Sequence, residues 1–475
     1  MNNITITWIA LPLFVGFVIY LIPKIDRFLA LGMTLVSSVY ALQILINQES
    51  LRLQLLDNFG VTLAVDQLSG YFILTNALVT AAVILYCWNT GRSAFFYMQA
   101  IFLHGSLNSA FICADFLSLY VALEVIGIAA FLLITYPRSD RSIWVGLRYL
   151  FISNTAMLFY LVGALLVYQA NNSFIFEGLG NAPIEAQALI LMGLLTKGGI
   201  FVSGLWLPLT HSESESPVSA LLSGVVVKAG VYPLLRCALL VEEIDPIIRI
   251  FGVGTALLGA FYAIFEKDTK RTLALSTISQ LGFILSAPAV GGLYALAHGL
   301  VKATIFLIAG ILPSRNFTEL QEKPTNRWLW ITLVIASLSV SGFPLLVGFG
   351  AKMLTAKNLE SWQEIVMNVA AVGTAVVYAK FIFLPNNGKD TVRAGFWPAA
   401  ALLIGGMLLA NIGTFQAYTV TNIAKALATI GGGWLTYFFI FRRLDFEVPS
   451  VVEKFEHLVG GMSLMLVALF WMILA

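Results

Sequence analysis

Residues 216–235 read SPVSALLSGVVVKAGVYPLL, an apolar run that holds a single lysine, Lys228. Its length of about 20 residues is what a helix needs to cross the ~30 Å hydrocarbon core of a bilayer. A charge at the centre of a spanning helix costs roughly 2.5–3.5 kcal/mol, so such a side chain usually faces a protein interior or a hydrated path. The run therefore predicts a transmembrane helix that carries a buried, functional charge.

The composition of the whole chain indicates the same class of protein. Of its 475 residues, 59% are hydrophobic and 11% are charged, whereas soluble domains have about 25% charged residues. The net charge of +2 gives no indication of a nucleic-acid partner. The three cysteines lie in or near apolar runs and form no CxxC spacing, which argues against zinc, iron–sulfur and disulfide frameworks. We expect an all-α, multi-pass membrane protein surrounded by lipid, without a metal or cofactor.

Hydropathy along the chain predicts 14 to 16 transmembrane helices. The sixteen candidates begin near residues 4, 28, 65, 94, 114, 144, 186, 217, 246, 271, 291, 327, 362, 395, 421 and 457. Basic loops alternate with acidic ones, and the positive-inside rule then places both termini away from the cytoplasm. That orientation requires an even number of spans.

Two of the predicted helices are interrupted. Residues 194–200 read LLTKGGI around Lys197, and residues 341–352 read SGFPLLVGFGAK ahead of Lys352. Glycine and proline weaken helices, and a break at membrane depth is tolerated only inside protein or beside water. The two lysines lie in the seventh and twelfth spans. Because five is an odd number, a repeated five-helix unit must enter the membrane from opposite sides, which predicts an inverted repeat.

This repeat divides the chain into four predicted parts. They are N-terminal helices at 1–93, a first five-helix repeat at 94–240, a second, inverted repeat at 246–385, and C-terminal helices at 395–475.

Further ionisable residues lie inside the predicted spans. Glu124 is about ten residues into its span, which places it near the midplane at 1.5 Å per residue. His298 and Lys302 are four apart, on one face of the eleventh span, and a histidine can relay protons near neutral pH. The alternative is a static buried ion pair that takes no part in transport. Buried ion pairs are weak evidence for stability, because the cost of desolvating the charges can exceed their attraction. We predict a proton relay formed by Glu124, Lys197, Lys228, His298, Lys302 and Lys352.

Two further residues are candidates for access or secondary roles. His211 ends the seventh span, where a solvated loop residue is the alternative interpretation. Lys380 lies near the end of the thirteenth span, from which a lysine can extend its charge to the membrane surface. The four histidines are spread over separate elements without acidic partners at ligand spacing, which argues against a metal site.

Four runs of the sequence resemble a known family. They are WLPLTH at 206–211, SPVSALLSGVVVKAGVY at 216–232, DTKRTLALSTISQLG at 268–282 and HGLVKA at 298–303. They are similar to the antiporter-like family, which comprises the large subunits of Mrp-type cation/proton antiporters and the proton-pumping membrane subunits of complex I. The resemblance covers roughly residues 65–385. The chain departs from the family pattern at Thr210, where alanine is common, and near Pro344, where a second proline is frequent.

The resemblance implies roles for the same charged residues. It implies an ion pair between Glu124 and Lys197, a central Lys228 and a terminal Lys352. His298 and Lys302 are then expected to join two half-channels.

The resemblance also favours one function over several others. Lys352 and the absence of a long lateral helix favour an Mrp-type antiporter subunit of the D type over a complex I subunit. We expect a transporter and not an enzyme: the proton-translocating subunit of a cation/proton antiporter, with sodium as the favoured monovalent cation and other membrane subunits as partners. The alternatives are a subunit of a complex I-type NAD(P)H or ferredoxin:quinone oxidoreductase, a subunit of an inorganic-carbon uptake complex, and a scaffold subunit that transports nothing.

Overall fold

The computed structural model describes residues 2–48, 50–56, 60–388, 391–444, 446 and 449–474. Helices make up most of this part of the chain. In chain order they are α1 (Asn2–Leu21), α2 (Asp26–Asn47), α3 (Gln67–Cys87), α4 (Ala94–Ala110), α5 (Phe116–Ile134), α6 (Asp140–Asn171), α7 (Ile184–Gly198), α8 (Leu207–Glu213), α9 (Ser216–Leu221), α10 (Lys228–Leu240), α11 (Asp245–Phe265), α12 (Thr269–Leu285), α13 (Gly291–Ala309), α14 (Phe317–Glu322), α15 (Arg327–Ser341), α16 (Val347–Lys357), α17 (Ser361–Ile382), α18 (Phe396–Ile412), α19 (Val420–Phe439) and α20 (Phe455–Leu474).

Every predicted span coincides with a helical segment. In the described part of the chain, twelve segments are long and apolar enough to cross a membrane, among them Ile184–Glu213, which contains a break, and Ser216–Leu240. The other four predicted spans are the shorter helices α4, α12, α15 and α18, of 15 to 17 residues. The prediction of an all-α, multi-pass membrane protein is confirmed.

One small sheet lies outside this pattern and was not predicted. Strands β1 (Leu51–Leu56) and β2 (Gly60–Val65) form an antiparallel pair between α2 and α3, with Leu51 opposite Val65. Asp66 follows β2 directly and accepts a hydrogen bond from the backbone N–H of Ser69, which caps α3. The hairpin therefore fixes where the third span begins.

Burial separates the helices into an inner and an outer group. All residues in the most apolar window of Ser216–Leu240 are buried, whereas only 28% of the residues in that window of α1 and 22% in that of α20 are buried. α13 packs against α3, α9, α15, α16 and α18 and lies in the inner group with the Lys228 segment. Lys228, His298 and Lys302 therefore lie on segments that the rest of the protein covers almost completely.

The C-terminal helix α20 covers one of the predicted breaks. It packs against α7 and against the 3₁₀ segment Phe201–Trp206 that follows α7. Ahead of α20, the Glu453 carboxylate accepts hydrogen bonds from the Arg271 guanidinium on α12 at 2.6 and 3.2 Å. The Arg148 guanidinium on α6 donates to the backbone carbonyl of Glu453. Glu453 thus ties the C-terminal helix to both halves of the protein.

Candidate functional site

Lys228 is the first residue of α10 and has no solvent exposure. A π-helical turn, Leu222–Val226, comes directly before it. The Lys228 ammonium donates hydrogen bonds to the backbone carbonyls of Gly224 at 2.5 Å and Ser223 at 3.2 Å. Turns of this kind widen a helix and are frequent at functional sites. The backbone beside Lys228 therefore supplies the acceptors that a buried cation needs.

His298 on α13 is the side-chain partner of Lys228. The distance between Lys228 Nζ and His298 Nδ1 is 3.1 Å. The helices come this close because small residues meet: the Gly224 carbonyl oxygen lies 3.0 Å from where a Cβ on Gly299 would be. When an ammonium donates a hydrogen bond to a ring nitrogen of histidine, a proton can pass between the two side chains, here from α10 to α13.

Lys302 is one helical turn beyond His298 on α13, but its ammonium turns to α12. It donates hydrogen bonds to the Leu273 carbonyl at 2.9 Å and to Ser276 Oγ at 2.8 Å. The Tyr378 hydroxyl is 2.9 Å from Ser276 Oγ, and the Tyr378 ring centroid is 5.5 Å from the Lys302 ammonium. His298 and Lys302 are thus neighbours on one helix that contact different partners.

Lys197 lies in the last turn of α7 and donates a hydrogen bond of 2.6 Å to Ser153 Oγ on α6. Its ammonium is 3.1 Å from where a Cβ on Gly127 would be, so it lies against α5. Glu124 is one turn earlier on α5, half-buried, and its Oε1 has no hydrogen-bond partner among the described residues. The structure brings Glu124 and Lys197 to one place, but in the described residues Ser153, and not Glu124, holds the lysine.

The helices of Lys197 and Lys228 are in close contact. A Cβ on Gly230 of α10 would lie 2.3 Å from the backbone nitrogen of Gly198, which ends α7. Glycine is required at such an approach because any side chain would separate the two backbones. Lys197 and Lys228 therefore lie on adjacent, tightly packed helices.

Both predicted helix breaks are present, and both begin in the same way. α7 ends before Gly199, with φ +71°, and α15 ends before Gly342, with φ +89°. Each glycine adopts the left-handed conformation that closes a helix in the Schellman motif. The hydrogen bonds that define the motif run from Ile200 N–H to Leu195 O and from Phe343 N–H to Leu338 O, both at 2.9 Å.

When the two breaks are aligned on these glycines, the two lysines fall at different positions. Lys197 lies two residues before Gly199, whereas Lys352 lies ten residues after Gly342. Lys197 therefore belongs to the helix that enters its break, and Lys352 to the helix that leaves its break. Their placement in spans seven and twelve does not make them equivalent positions.

Lys352 has the most open surroundings of the predicted relay lysines. Its hydrogen bond to the Ser341 carbonyl is long, at 3.5 Å, and its ammonium lies 5.2 Å from the ring centroid of Phe283. A cavity of about 590 Å³ extends from Lys352 between α16, α17 and α19. Exposed polar residues, including Glu364 and Lys425, line its far part. The cavity therefore connects Lys352 with the protein surface.

His211 and Lys380 have different surroundings. His211 is fully buried; its Nδ1 donates to the Leu207 carbonyl at 3.0 Å and its ring centroid is 5.5 Å from that of Phe306. The interpretation of His211 as a solvated loop residue is wrong. The half-buried Lys380 donates to the carbonyl of Glu266 at 2.5 Å and also to the last carbonyls of α11. Its ammonium thus caps a helix end, which is a structural role.

Several residues of the site were not predicted from the sequence. Ser153, Ser276 and Tyr378 surround the lysines, and the π-turn before Lys228 gave no clear signal apart from Gly224 within a run of valines. Serine hydroxyls carry neither charge nor strong hydropathy, so only the packing of the helices identifies them. Within the described ranges, no group of three or more His, Cys, Asp or Glu residues is placed to hold a metal ion.

Comparisons with known proteins give the family. The family model described as NADH:quinone oxidoreductase/Mrp antiporter, transmembrane, matches residues 113–377. The D subunit of the Na(+)/H(+) antiporter of Alkalihalophilus pseudofirmus is 27% identical over 423 residues, which cover 80% of this chain and 85% of that protein. The NADH-quinone oxidoreductase subunit N of Desulforudis audaxviator is 30% identical over 368 residues, covering 68% of this chain and 72% of that one. The NAD(P)H-quinone oxidoreductase chain 4-2 of a Synechocystis species is 31% identical over 349 residues, which cover 66% of this chain and 62% of that protein.

Solved structures show the same fold. A chain of the Mrp complex from a Dietzia species superposes with a TM-score of 0.76 and 18% identity, covering 90% of this chain and 98% of that one. A chain of the membrane-bound sulfane sulfur reductase, an archaeal respiratory membrane complex, superposes with a TM-score of 0.77 and 20% identity. The superposition covers 91% of this chain and 98% of that one. Because the matched family model spans more than half of the sequence, this chain belongs to the family of transmembrane subunits shared by NADH:quinone oxidoreductases and Mrp antiporters.

Proposed function

We propose that this chain is the proton-translocating subunit of a multisubunit monovalent cation/proton antiporter, with sodium as the favoured cation. The observation that carries the proposal is the row of buried basic residues that extends from one broken helix to the other. Ionisable residues are costly inside a membrane and usually mark ion or proton pathways. Broken helices at membrane depth line such pathways in transporters.

The contacts on the first side of the row support proton transfer there. A carboxylate close to an ammonium stabilises the charged form, so movement of Glu124 relative to Lys197 would change how tightly Lys197 holds its proton. The proton released from Lys197 would pass to Lys228 on the adjoining helix. Moving one charge across 100 mV is worth about 2.3 kcal/mol, a size that rearranged contacts of this kind can supply.

The second side of the row would receive the proton. Lys228 donates directly to His298, and Lys302 and Lys352 follow on α13 and α16. Lys352 would then exchange protons with solvent through its cavity. In this scheme the two five-helix units, 94–240 and 246–385, form two half-channels of opposite orientation, with both chain termini away from the cytoplasm.

Other membrane subunits complete the assembly in this proposal. The proteins of similar fold belong to an Mrp complex and to an archaeal respiratory membrane complex, both of them assemblies. The chain itself would move protons, within a bacterial plasma membrane or a thylakoid membrane, and the cation would cross in the same assembly.

A complex I-type function is the second candidate, because relatives with quinone oxidoreductase names are 30–31% identical to this chain. In that case proton movement would depend on electron transfer and not on an added cation. A third candidate, a scaffold subunit, would use the charges only to hold partners together. The three functions differ in what drives proton movement and in what a lysine substitution removes.

The experiment uses everted membrane vesicles from antiporter-deficient cells that express the chain with its neighbouring genes. A preformed pH gradient is followed while sodium, and then potassium, is added. Lys228→Ala is compared with Lys323→Ala, because Lys323 lies on the exposed surface in an ion pair with Glu319. Assembly is measured in the same membranes by co-purification of the partner subunits.

Each function predicts a different result. An antiporter subunit gives dissipation on cation addition that Lys228→Ala abolishes and Lys323→Ala retains, with both variants assembled. Proton pumping that needs an electron donor and ignores added cations would assign the chain to the complex I-type function. Failure of Lys228→Ala to assemble would favour the scaffold.

A further inference from the structure

A small void lies between His298 and the second helix break. It is lined by residues of α12, α13, α15 and α16 and has a volume of about 10 Å³, close to the minimum that holds one water molecule. Four polar residues line it: Gln280, Tyr294, His298 and Ser339. Ala351, the neighbour of Lys352 in sequence, also lines it. The void therefore lies between the central lysine–histidine pair and the last lysine of the row.

Two polar atoms of this lining have no hydrogen-bond partner among the described residues. They are His298 Nε2 and Ser339 Oγ, on side chains that are 2% and 0% exposed. A buried polar atom without a partner costs about 1–3 kcal/mol. Such a pair of atoms favours a ligand that both donates and accepts, and that is small enough for the void.

The other two polar residues are already engaged with each other. The Tyr294 hydroxyl donates to Gln280 Oε1 at 2.7 Å, and Gln280 Nε2 donates to Thr374 Oγ1 at 3.1 Å. Tyr294 Oη keeps a lone pair that can accept a further hydrogen bond. A ligand in the void would thus meet three polar atoms, which is the usual number for a buried water.

We propose that one water molecule binds in this void, bridges His298 Nε2 and Ser339 Oγ, and accepts the proton that leaves His298 toward the second break. A proton that reaches Nδ1 from Lys228 makes the ring doubly protonated. Loss of the Nε2 proton breaks that N–H bond and forms an O–H bond on the water, and the ring is neutral again. The water passes one proton on, with Lys352 as the final acceptor. Ser339 is a positioning residue for this water.

This inference rests on the proposed function, because it concerns a step of the same proton path. Ser337 supplies a matched control on the same helix. Its hydroxyl is also buried and without a partner among the described residues, but it does not line the void. The helix α15 therefore offers two equally buried serines, of which only Ser339 lines the void.

The test measures cation-driven proton movement in the vesicles described above, per assembled complex, in H₂O and in D₂O. We expect Ser339→Ala to be roughly tenfold slower than Ser337→Ala, the rate equivalent of one hydrogen bond. Its rate ratio between H₂O and D₂O rises because the impaired proton transfer then limits the rate, while the cation concentration for half-maximal rate does not change. A general loss of folding would not raise that ratio.

A second variant reaches the void from another helix. Ala297→Val adds two methyl groups to a residue of α13 that lines the void, and should displace the water without touching Ser339. It should slow transport at least as much as Ser339→Ala. Equal rates and equal isotope ratios in Ser339→Ala and Ser337→Ala, or normal transport in Ala297→Val, would overturn the inference. The proposed function would survive that result as long as Lys228→Ala still abolishes transport.

Discussion

At the break after α7 the lysine precedes the glycine turn, whereas at the break after α15 the lysine follows the turn by ten residues. Lys197 is 5% exposed, is held by a 2.6 Å hydrogen bond to Ser153, and lies on a helix that α20 covers. Lys352 has one long hydrogen bond and a cavity of about 590 Å³ beside it. The two breaks thus share a backbone motif but differ in access: the first break, at Lys197, is a closed end, and the second break, at Lys352, is an open end.

Under the proposed function, this difference in access between the two breaks indicates which part of the protein has to move during transport. In the proposed relay, Lys352 would exchange protons through the cavity beside it, whereas Lys197 would do so only after side chains or α20 shift. Uncontrolled leakage of protons is prevented when at least one end of a path is closed. We therefore expect gating at the first break, where Glu124 has an unpartnered carboxylate oxygen among the described contacts.

The largest effect should come from Lys197→Ala. This substitution removes the ammonium at the closed end, so cation-driven proton movement should fall by about 100-fold or more, the contribution expected of a positioned proton-transfer group. Vesicle transport per assembled complex measures it, with Lys323→Ala as the surface control. Transport within twofold of the control would mean that protons bypass the first break.

The two glycine turns should differ in their tolerance of alanine. In both Gly199→Ala and Gly342→Ala the left-handed residue costs roughly 1–2 kcal/mol. At Gly199 the new Cβ would also lie 2.5 Å from Leu207 Cδ1 in the packed core, whereas at Gly342 it would lie 3.0 Å from Cδ of the flexible Lys352. Gly199→Ala should therefore lower the temperature at which the purified protein aggregates more than Gly342→Ala does.

Gly32→Ala serves as the control for this prediction, because a Cβ there meets nothing within 4 Å. It should leave the aggregation temperature unchanged or raise it slightly. Equal losses in Gly199→Ala and Gly342→Ala would show that the two breaks are packed alike.

A smaller effect is expected of Ser153→Ala. The loss of its hydrogen bond to Lys197 should slow proton movement several-fold, equivalent to about 1 kcal/mol. Thr155→Ala on the same helix is the control, since its exposed hydroxyl donates to the Phe151 carbonyl of its own helix at 2.8 Å and has no other hydrogen-bond partner among the described residues. If both variants transport at the same rate, Ser153 does not hold Lys197 during transport.

The smallest effect should come from Glu453→Gln. Loss of its charge weakens the contact with Arg271 and loosens the segment that leads into α20. A cysteine placed at Ser153 should then react two- to threefold faster with a thiol reagent, whereas the reactivity of a cysteine at Met353, which lines the cavity beside Lys352, should not change. A change of equal size at both positions would mean that α20 does not specifically cover the first break.

Hydropathy and glycine patterns predicted the spans and both breaks, because the cost of polar groups in lipid depends on composition over about 20 residues. They did not predict how each lysine lies relative to its glycine turn, since residue spacing along the chain does not give the point where a helix ends. The hydrogen bond of Ser153 to Lys197 depends on how α6 packs against α7. The π-turn before Lys228 depends on the contact between Gly224 and Gly299, which are 75 residues apart.

The most direct test of the closed and open ends is thiol labelling of the assembled complex with a charged, membrane-impermeant reagent, applied from each side of the membrane in turn. Cysteines are placed at the buried Ser153 and at Met353, a half-buried neighbour of Lys352 that lines the cavity. The native Cys87, Cys113 and Cys237, all buried, give the background. We predict that Met353→Cys is labelled from one side and that Ser153→Cys stays at background in the absence of a cation gradient. Labelling of Ser153→Cys as fast as Met353→Cys, or of neither from any side, would contradict the assignment of one closed and one open end.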